Sequence, residues 1–475
     1  MLVLLGKRRY AVFILVLLAL VFVFGGCGKK RDVAEDSSYS GEVYSENGLP
    51  KDKKVKISGM FPVQGWGKEY MEYAIETFEK KFPNVDIEMR YIEAGQVAYK
   101  EIINSAVQGG NEKDIPDWVY NFGSYQRQLI EQGKLEPQEE LLERQLLDKS
   151  EVKVKDVIKL DEREIFSPDG HMYKMPESLM ILGLYYNQKM MRDFGLEKEP
   201  QHWEEYLDYC AKIKAQGVSP LVMDGKHATE YFEFGWGTIP FAVGGEKYRD
   251  DLYYNRPDVY ISKPFVTMYE RLVEFSKRGY LHPGTASFDH TQSQMEFLQG
   301  EAAMTTNGTW IANEMRDVLL VDFEWGFMPF PGNDKGQKQV LILYASGSGF
   351  IWKNKPELTK QWAKEFNLWL LNIDIQEKMA KTGIIPVRSD FINESGGGDM
   401  LSPSAKVAMG VIQNPKIELV NHRLRERTIS NVEMSKIGKM KGDNYIALIS
   451  GQKSPTQAAK DLNALYMKGL ALEEK

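Results

Sequence analysis

Two hydrophobic periodicities alternate over residues 55–120, and this alternation constrains the fold more than any other feature of the chain. The predicted elements are, in order, a strand at 55–57, a helix at 71–82, a strand at 85–91, a helix at 99–107 and a strand at 115–120. Alternating units of this kind build an α/β sheet with helices on both faces. Ligands of such sheets bind at the carboxyl ends of the strands.

The rest of the chain continues this pattern without an internal repeat. Amphipathic helices are predicted around 203–213, 265–275 and 362–370, and the stretch from about 402 to 471 is expected to be mostly helical. The chain has 475 residues, of which 43% are apolar, and this is more than one small core needs. We therefore expect at least two lobes. Cys210 falls on the first helical stripe and is interpreted as a small core residue.

The first 54 residues differ in character from the rest. Three bases at 7–9 precede an unbroken apolar run from Tyr10 to Phe24, which is shorter than the ~20 residues that span a bilayer. Residues 1–26 are therefore predicted to be a secretory signal peptide. The ending Gly25-Gly26-Cys27 resembles a bacterial lipobox, which implies a lipid on Cys27, and an uncleaved anchor is the alternative. Residues 27–54 are predicted to form the lipidated start and a flexible tether.

Net charge argues against one class of partner. The chain carries 67 acids and 60 bases, a formal charge of −7. Because nucleic-acid binding needs a net basic face that neutralises phosphates, we expect no nucleic-acid partner.

Motifs of catalysis and metal binding are missing from the sequence. It contains no nucleophile elbow, no glycine-rich phosphate loop, no zinc-protease motif and no calcium-loop spacing. Two cysteines and six scattered histidines do not suggest a disulfide framework or a ligand cluster. We therefore predict a protein without cofactor, metal or catalytic residues, which is not an enzyme.

Tryptophans beside glycines stand out instead. They occur in Gln64-Gly65-Trp66-Gly67, Phe234-Gly235-Trp236-Gly237 and Asn307-Gly308-Thr309-Trp310. A ligand can approach backbone closely at glycine, and a flat apolar ring with a polar edge suits a sugar. Each tryptophan taken singly could equally cover a core edge at a bend. The three together favour a carbohydrate-sized cleft.

At this point the sequence resembles the family 1 extracellular solute-binding proteins, the receptor subunits of ABC importers for sugars, related to maltose- and glycerol-3-phosphate-binding proteins. The matching stretches begin at Phe78, Ile115, Gly133, Asp169, Leu184, Pro200, Phe297, Asn307 and Gly383, in this order. Among them are Asp169-Gly170-His171-Met172-Tyr173-Lys174-Met175-Pro176 and Gly383-Ile384-Ile385-Pro386-Val387-Arg388. Their order and spacing carry the resemblance more than any single motif.

The resemblance implies an α/β fold of the two-lobe, periplasmic-binding-protein-like type II, with a hinge and a ligand cleft between the lobes. Crossings between the lobes are expected near 176–182, 342–347 and 371–376. Lobe 1 would then comprise 55–178 plus 345–372, and lobe 2 would comprise 179–344 plus 373–475. Hinge bending that closes the lobes over a ligand is the expected motion.

The same resemblance implies a binding site. Trp310 matches the family's stacking tryptophan, with Trp236 near a second aromatic position, and Glu177 falls where a carboxylate would bond sugar hydroxyls. Arg388 could reach the cleft or pair with a surface acid. The expected ligand-binding residues are Gln64, Trp66, Tyr120, Asn121, Glu177, Trp236, Asn307, Gly308, Trp310, Gly347, Ser348 and Arg388.

The implied function is to capture a carbohydrate, with an oligosaccharide as the expected ligand. The protein would deliver this ligand unchanged to ABC transporter permease subunits. The protein would act as a monomer held on the extracytoplasmic face of the cell membrane by its N-terminal lipid. Two alternatives stay open: a secreted, lipid-anchored carbohydrate-active enzyme, and the same fold binding a peptide, a polyamine or a glycerophosphodiester.

Overall fold

A computed structural model describes residues 41–473, apart from 64–66, 94, 111–113, 121–125, 161, 320–321, 395–396, 428 and 430. The predicted signal peptide, the lipid on Cys27 and the site residues Gln64, Trp66 and Asn121 therefore lie outside the described residues. In the part of the chain that is described, no helix has the length and apolar character needed to cross a membrane.

Strands and helices alternate along the chain. The strands are β1 (Val55–Pro62), β2 (Val85–Ile92), β3 (Trp118–Val119), β4 (Pro176–Asn187), β5 (Ser219–Val222), β6 (Ala302–Gly308), β7 (Trp325–Met328), β8 (Gln339–Gly347), β9 (Phe350–Ile351), β10 (Ile385–Pro386) and β11 (Ile417–Val420). The helices up to Lys277 are α1 (Glu69–Lys81), α2 (Gly95–Gln108), α3 (Gln126–Glu131), α4 (Val154–Val157), α5 (Glu162–Ile165), α6 (Gln188–Asp193), α7 (Trp203–Ala215), α8 (Ala228–Tyr231), α9 (Ile239–Tyr253) and α10 (Lys263–Lys277).

The remaining helices follow the same alternation and then dominate the C-terminal part. They are α11 (His290–Leu298), α12 (Ile311–Glu314), α13 (Glu357–Trp369), α14 (Ile373–Lys381), α15 (Ser389–Glu394), α16 (Gly397–Met400), α17 (Pro403–Ile412), α18 (Ile437–Ile449) and α19 (Pro455–Glu473). The predicted helices at 203–213, 265–275 and 362–370 are confirmed as α7, α10 and α13. The mostly helical prediction for the C-terminal part missed β11.

The first sheet has the order β2-β1-β3-β9. β1 is parallel to both β2 and β3, so α1 and α2 are the crossover helices, as the alternation of periodicities predicted. β9 comes back from residue 350 and pairs antiparallel with β3. The core of this sheet is aromatic, with Phe78 of α1 and Phe82 directly after it packed against Trp362 of α13. This sheet and its helices form the first lobe.

The second sheet has seven strands and is organised around β4. β8, β4, β6 and β5 follow one another in the sheet, and β7 and β10 also pair with β4. β11 extends the far edge by pairing parallel with β8. Because β5 and β6 are parallel, their carboxyl ends meet at one edge of the sheet. A separate core with Trp203, Trp236 and Phe275 lies beneath this sheet.

The predicted tether is wrong at its C-terminal end. Val43 and Pro50 form a β-bridge, and the Tyr44 ring packs edge-on against Phe82 with centroids 4.9 Å apart. The Tyr44 hydroxyl donates to Asn84 Oδ1 over 2.8 Å. The charged and Ser-rich composition of 28–54 concealed this contact because only two apolar side chains, Tyr44 and Leu49, carry the packing. The first lobe therefore begins before residue 55.

Helix α14 joins the two lobes instead of belonging to lobe 2 alone. Ile375 and Met379 pack in the core of the first sheet, while Ala380 packs in a cluster with residues of the second sheet. The Tyr73 hydroxyl on α1 donates to Asp374 Oδ2 over 2.9 Å. A boundary at residue 372 would separate α14 from α1, although these two helices pack together. The remaining lobe boundaries stay a prediction.

A buried amide network ties the first sheet to the segment that leads into β4. The Asn367 side chain accepts from Trp118 Nε1 over 2.6 Å, and it donates to Gln138 Oε1 over 2.7 Å and to the Gly349 carbonyl over 2.9 Å. Gln138 Nε2 donates in turn to the Tyr173 carbonyl over 2.6 Å. The oxygen and the nitrogen of the Asn367 amide therefore both have buried partners.

Replacing Asn367 with Ala should destabilise the fold. The change leaves buried Trp118 Nε1 and Gln138 Oε1 unpaired, and each costs ~1–3 kcal/mol, while the Gly349 carbonyl keeps its 3.3 Å bond from Gln138 Nε2. We expect a loss of about 3 kcal/mol in the free energy of unfolding, measured by urea denaturation. Gln361→Ala, a half-buried position on the same helix, is the matched control and should change stability by less than about 0.5 kcal/mol. Equal stability of the two variants would contradict the role assigned to this network.

Candidate functional site

Glu177 lies where β4 leaves the first lobe, at an irregularity in the pairing with β8 between Pro176 and Ser178. Its side chain is fully buried, and Oε1 accepts a long hydrogen bond of 3.4 Å from the Tyr70 hydroxyl on α1. Oε2 has no partner among the described residues. Burial raises the pKa of Glu177 to about 8, although nearby Lys174 and the Tyr70 hydrogen bond act in the opposite direction. This carboxyl is therefore neutral over much of the physiological range.

The loop after β8 faces the same junction. Tyr120 Oη and Ser346 Oγ share a hydrogen bond of 3.2 Å, which joins the end of β3 to β8. The Ser348 amide donates to the Met175 carbonyl over 2.7 Å, so this backbone amide is already paired, whereas Ser348 Oγ is buried and has no partner in the residues that the structure describes. A Cβ on Gly347 would lie 2.7 Å from the Met175 carbonyl oxygen, so only glycine fits here.

Trp310 stands at the carboxyl end of β6 and begins α12. Its ring lies against Gly308, where a Cβ would come within 2.1 Å of the indole, and Phe234 meets it edge-on with centroids 5.9 Å apart. The tryptophan remains partly exposed. Asn307 is buried, and its Oδ1 accepts from the Gly308 amide over 2.8 Å, while Nδ2 has no partner within the described part of the chain. The predicted grouping of Asn307, Gly308 and Trp310 thus corresponds to one local arrangement.

The region around Glu177 and the region around Trp310 are joined through β4. Gly308 pairs with Leu182, five residues along β4 from Glu177. At about 3.3 Å per residue, the two positions are about 16 Å apart along the strand. This separation exceeds the width of one sugar ring. Across the junction, Arg316 after α12 forms an ion pair with Glu69 at the start of α1, with nitrogen and oxygen 3.7 Å apart.

The predicted ligand contact of Trp236 is wrong. The ring is fully buried in the second lobe, with centroids 4.7 Å from Phe330 and 5.3 Å from Phe275. Its Nε1 points to Met223 Sδ at 3.4 Å. The flanking glycines belong to a short 3-10 turn over this core, which the sequence pattern does not distinguish from a ligand loop. The half-buried Tyr231, which the sequence analysis did not name, contacts the Phe234 ring that packs on Trp310.

The predicted ligand contact of Arg388 is wrong as well. Its guanidinium is 1% exposed and binds Asp148 through Nη1 and Asp390 through Nε and Nη2, at 2.7–3.0 Å. Nη1 also donates to the Leu371 carbonyl over 2.8 Å. The alternative of pairing with an acid is confirmed, although the pair is buried. These bonds hold the segment after β10 against the end of α13.

Two histidines lie together, contrary to the prediction that they form no cluster. Asp224, His227 and His290 offer ligand atoms that all lie within 4.8 Å of one another. His227 Nδ1 is 2.7 Å from Asp224 Oδ2, and this hydrogen bond raises the pKa of His227. The chain brings them together because β5 ends beside the start of α11, a tertiary relation that residue spacing does not reveal. Nitrogen and carboxylate donors of this kind suit zinc, but Asp224 and His227 already pair with each other.

A cavity of about 100 Å³ opens beside the junction and includes Tyr173, Lys174, Pro176, Ser346 and Gly347 in its lining. Its volume has room for several waters. Lys174 was missed by the sequence analysis, although it stands within a quoted motif. Only the tertiary contact of this motif with the loop after β8 shows that its lysine faces a cavity.

Comparison with known proteins agrees with this architecture. Residues 63–377 match the family of bacterial extracellular solute-binding proteins. The sn-glycerol-3-phosphate-binding periplasmic protein UgpB of Salmonella typhimurium is 25% identical over 301 residues, which cover 61% of this chain and 65% of UgpB. The matched region thus spans just under two thirds of that relative.

Solved structures extend the likeness over most of the chain. A chitin oligosaccharide binding protein superposes with a TM-score of 0.69 at 17% identity, covering 88% of this chain and 99% of the other. RafE in complex with raffinose gives a TM-score of 0.66 at 18% identity, with coverage of 88% and 100%. The fold is therefore the predicted two-lobe α/β fold of solute-binding proteins. The chain belongs to the family of bacterial extracellular solute-binding proteins.

Glu177→Gln should make the stability of the protein less dependent on pH. The folded state keeps the Glu177 proton up to about pH 8, whereas the unfolded state loses it near 4.5, so wild-type stability falls as the pH rises between these values. The unfolding free energy of the variant relative to wild type should rise by at least about 1 kcal/mol from pH 5 to pH 8. Urea denaturation at both pH values measures it.

Glu301→Gln, at an exposed acid after α11, is the matched control and should show no such trend. Lys174, whose pKa burial lowers to about 8, titrates mostly above this window. A difference between Glu177→Gln and wild type that stays constant with pH would show that Glu177 is ionised in the folded protein.

Proposed function

We propose that this protein is the lipid-anchored extracytoplasmic receptor of an ABC importer, which captures an oligosaccharide between its lobes. The observation that carries the proposal is a combination of two features. The Trp310 ring is partly exposed, and Asn307, Glu177 and Ser348 each have a buried polar atom without a partner among the described residues. Sugars present the complement of this set, because their rings have apolar faces and their hydroxyls donate and accept hydrogen bonds. The separation of about 16 Å between the two regions favours a chain of sugars over a single ring.

Each proposed contact has a physical role. Trp310 stacks on a sugar ring, with Gly308 fixing the other side of the indole. Asn307 Nδ2 donates to a hydroxyl, and protonated Glu177 can both donate and accept. Tyr120, Gly347 and Ser348 complete the proposed contacts in the described residues, and Gln64, Trp66 and Asn121 remain proposed on the resemblance alone. Each new bond offsets the desolvation of the groups it joins.

Capture without turnover requires only lobe closure. A ligand shifts the equilibrium between the open and closed forms only to the extent that it binds one form more tightly than the other. The Arg316–Glu69 ion pair lies where the lobes meet and would form or break in that motion. We expect micromolar affinity, roughly −8 kcal/mol. The closed form would be recognised by permease subunits, and opening there would release the ligand unchanged.

Membrane attachment is the second part of the proposal. Cleavage before Cys27 and lipidation of that cysteine would hold the protein on the outer face of the cell membrane. Because residues from Val43 onward pack on the first lobe, the tether would be shorter than the sequence predicted. The matched relatives carry names of binding proteins, which favours capture over the open alternative of a carbohydrate-active enzyme.

Replacing Trp310 with Ala should abolish most carbohydrate binding. Titration calorimetry against a panel of neutral and charged oligosaccharides should find a ligand for the wild type. The variant should bind that ligand at least ~10-fold more weakly, because loss of an aromatic stacking partner costs about 1.4 kcal/mol or more. Tyr254→Ala, an exposed aromatic outside the site, is the control and should bind like the wild type.

Two results would contradict the proposal. Binding of an oligosaccharide with the same affinity by the wild type and Trp310→Ala would remove the stacking site. Cleavage products in the wild-type incubation, followed by chromatography, would establish the enzyme alternative instead.

A further inference from the structure

We infer that the captured saccharide carries a negatively charged group, a carboxylate or a phosphate, which binds Lys174 and Arg423 at the junction of the lobes. This inference rests on the proposed function and adds the charge of the ligand to it. Lys174 lies at the end of the site marked by Glu177 and Ser346, and Arg423 is near enough for its charge to act on Lys174.

Lys174 is held in place without a counter-charge. Its stem packs on the backbone of Gly347, where a Cβ would lie 2.8 Å from Lys174 Cδ. The ammonium nitrogen lies 5.7 Å from the centroid of the Phe350 ring, and Lys174 lines the cavity of about 100 Å³. Among the described residues, Lys174 forms no ion pair or side-chain hydrogen bond. Lys174 is half-buried, and partial burial of a cation is unfavourable unless a partner supplies negative charge.

Arg423, whose side chain is exposed, is a second cation in the neighbourhood of Lys174. It follows β11, whose pairing with β8 aligns Val420 with Ile342 and so carries the next residues beside Tyr344. The guanidinium carbon lies 4.3 Å from the centroid of the Tyr344 ring. This side chain too has no acid partner in the described part of the chain. Its charge acts on Lys174, lowering the lysine pKa along with burial.

The neighbouring acid does not balance these charges. Glu177 is the acid that acts on Lys174, but its own pKa is raised to about 8, so it is mostly neutral at pH 7. Lys174 beside a neutral acid, with the charge of Arg423 near it, leaves a positive potential in a cavity whose lining includes Lys174, Phe350 and Pro176. A low-dielectric wall strengthens attraction for an anion. The chain as a whole is negative, so this local excess is not a consequence of its composition.

The cavity also limits the size of the charged group. A space of about 100 Å³ holds a compact substituent such as a carboxylate or a phosphate, while the sugar chain extends toward Trp310. Carboxylate and phosphate oxygens both accept charge-assisted hydrogen bonds from lysine and arginine. Matched ligands can distinguish the two chemistries.

The test uses two pairs of ligands that differ in charge alone or nearly so. Trigalacturonate is compared with its methyl ester, and glucose 6-phosphate with glucose, by titration calorimetry on the wild type at pH 7. We expect at least ~10-fold tighter binding of the charged member in one pair, and the pair that shows it identifies the anion. Added salt should reduce this preference, since screening weakens it.

Lys174→Met and Arg423→Gln test the two cations. Each should remove most of the preference for the charged ligand, and Lys174→Met should keep or raise the melting temperature, because an unpaired cation leaves the cavity. Lys335→Gln, at an exposed lysine in the second lobe, is the matched control and should bind like the wild type.

Two outcomes would overturn the inference, and they have different consequences for the proposed function. Equal binding of charged and neutral ligands, unchanged by Lys174→Met, removes the anion subsite but leaves carbohydrate capture intact. Failure of every charged and neutral saccharide of both panels to bind removes the proposed function along with it.

Discussion

The structure depends on the pairing of strand β4 with β8 where the chain passes between the lobes. β4 begins at Pro176 against Gly347 and then pairs with β6, β7 and β10, so one strand connects the junction to the centre of the second sheet. Because the strand is stiff along its length, it fixes Glu177 and the Gly308 edge in one frame. The loop after β8 is placed by the same pairing, and glycine at 347 allows the close backbone approach to Met175 that this requires.

Local patterns predicted the elements of the first sheet up to β3 and three of the later helices. The β1-α1-β2-α2-β3 order follows from side chains that alternate with period two or recur at helical spacing, and each element buries one face locally. The closeness of Asn307, Gly308 and Trp310 follows from their adjacency in sequence, whereas the packing of the indole ring against Gly308 was not predicted. These features depend on contacts between near neighbours in sequence.

Other features depend on contacts that no local pattern encodes. Trp236 and Trp310 both follow glycines, yet one is covered by Phe330 and Phe275 while the other stays partly exposed. The partners of Arg388 stand at Asp148 and Asp390, and only the first is distant in sequence. The effect of the Arg423 charge on Lys174 depends on β11. This short strand lies in a largely helical region and was not predicted. Charge balance at the junction is therefore a property of the tertiary fold.

The central claim is that two lobes close around a carbohydrate, and its most direct test is small-angle X-ray scattering of the full soluble domain with and without a bound oligosaccharide. Closure predicts that the radius of gyration falls when ligand saturates the protein, and that the scattering of Trp310→Ala at the same ligand concentration stays close to that of the free form. An unchanged radius of gyration, with calorimetry showing the wild type saturated by the sugar, would contradict the account.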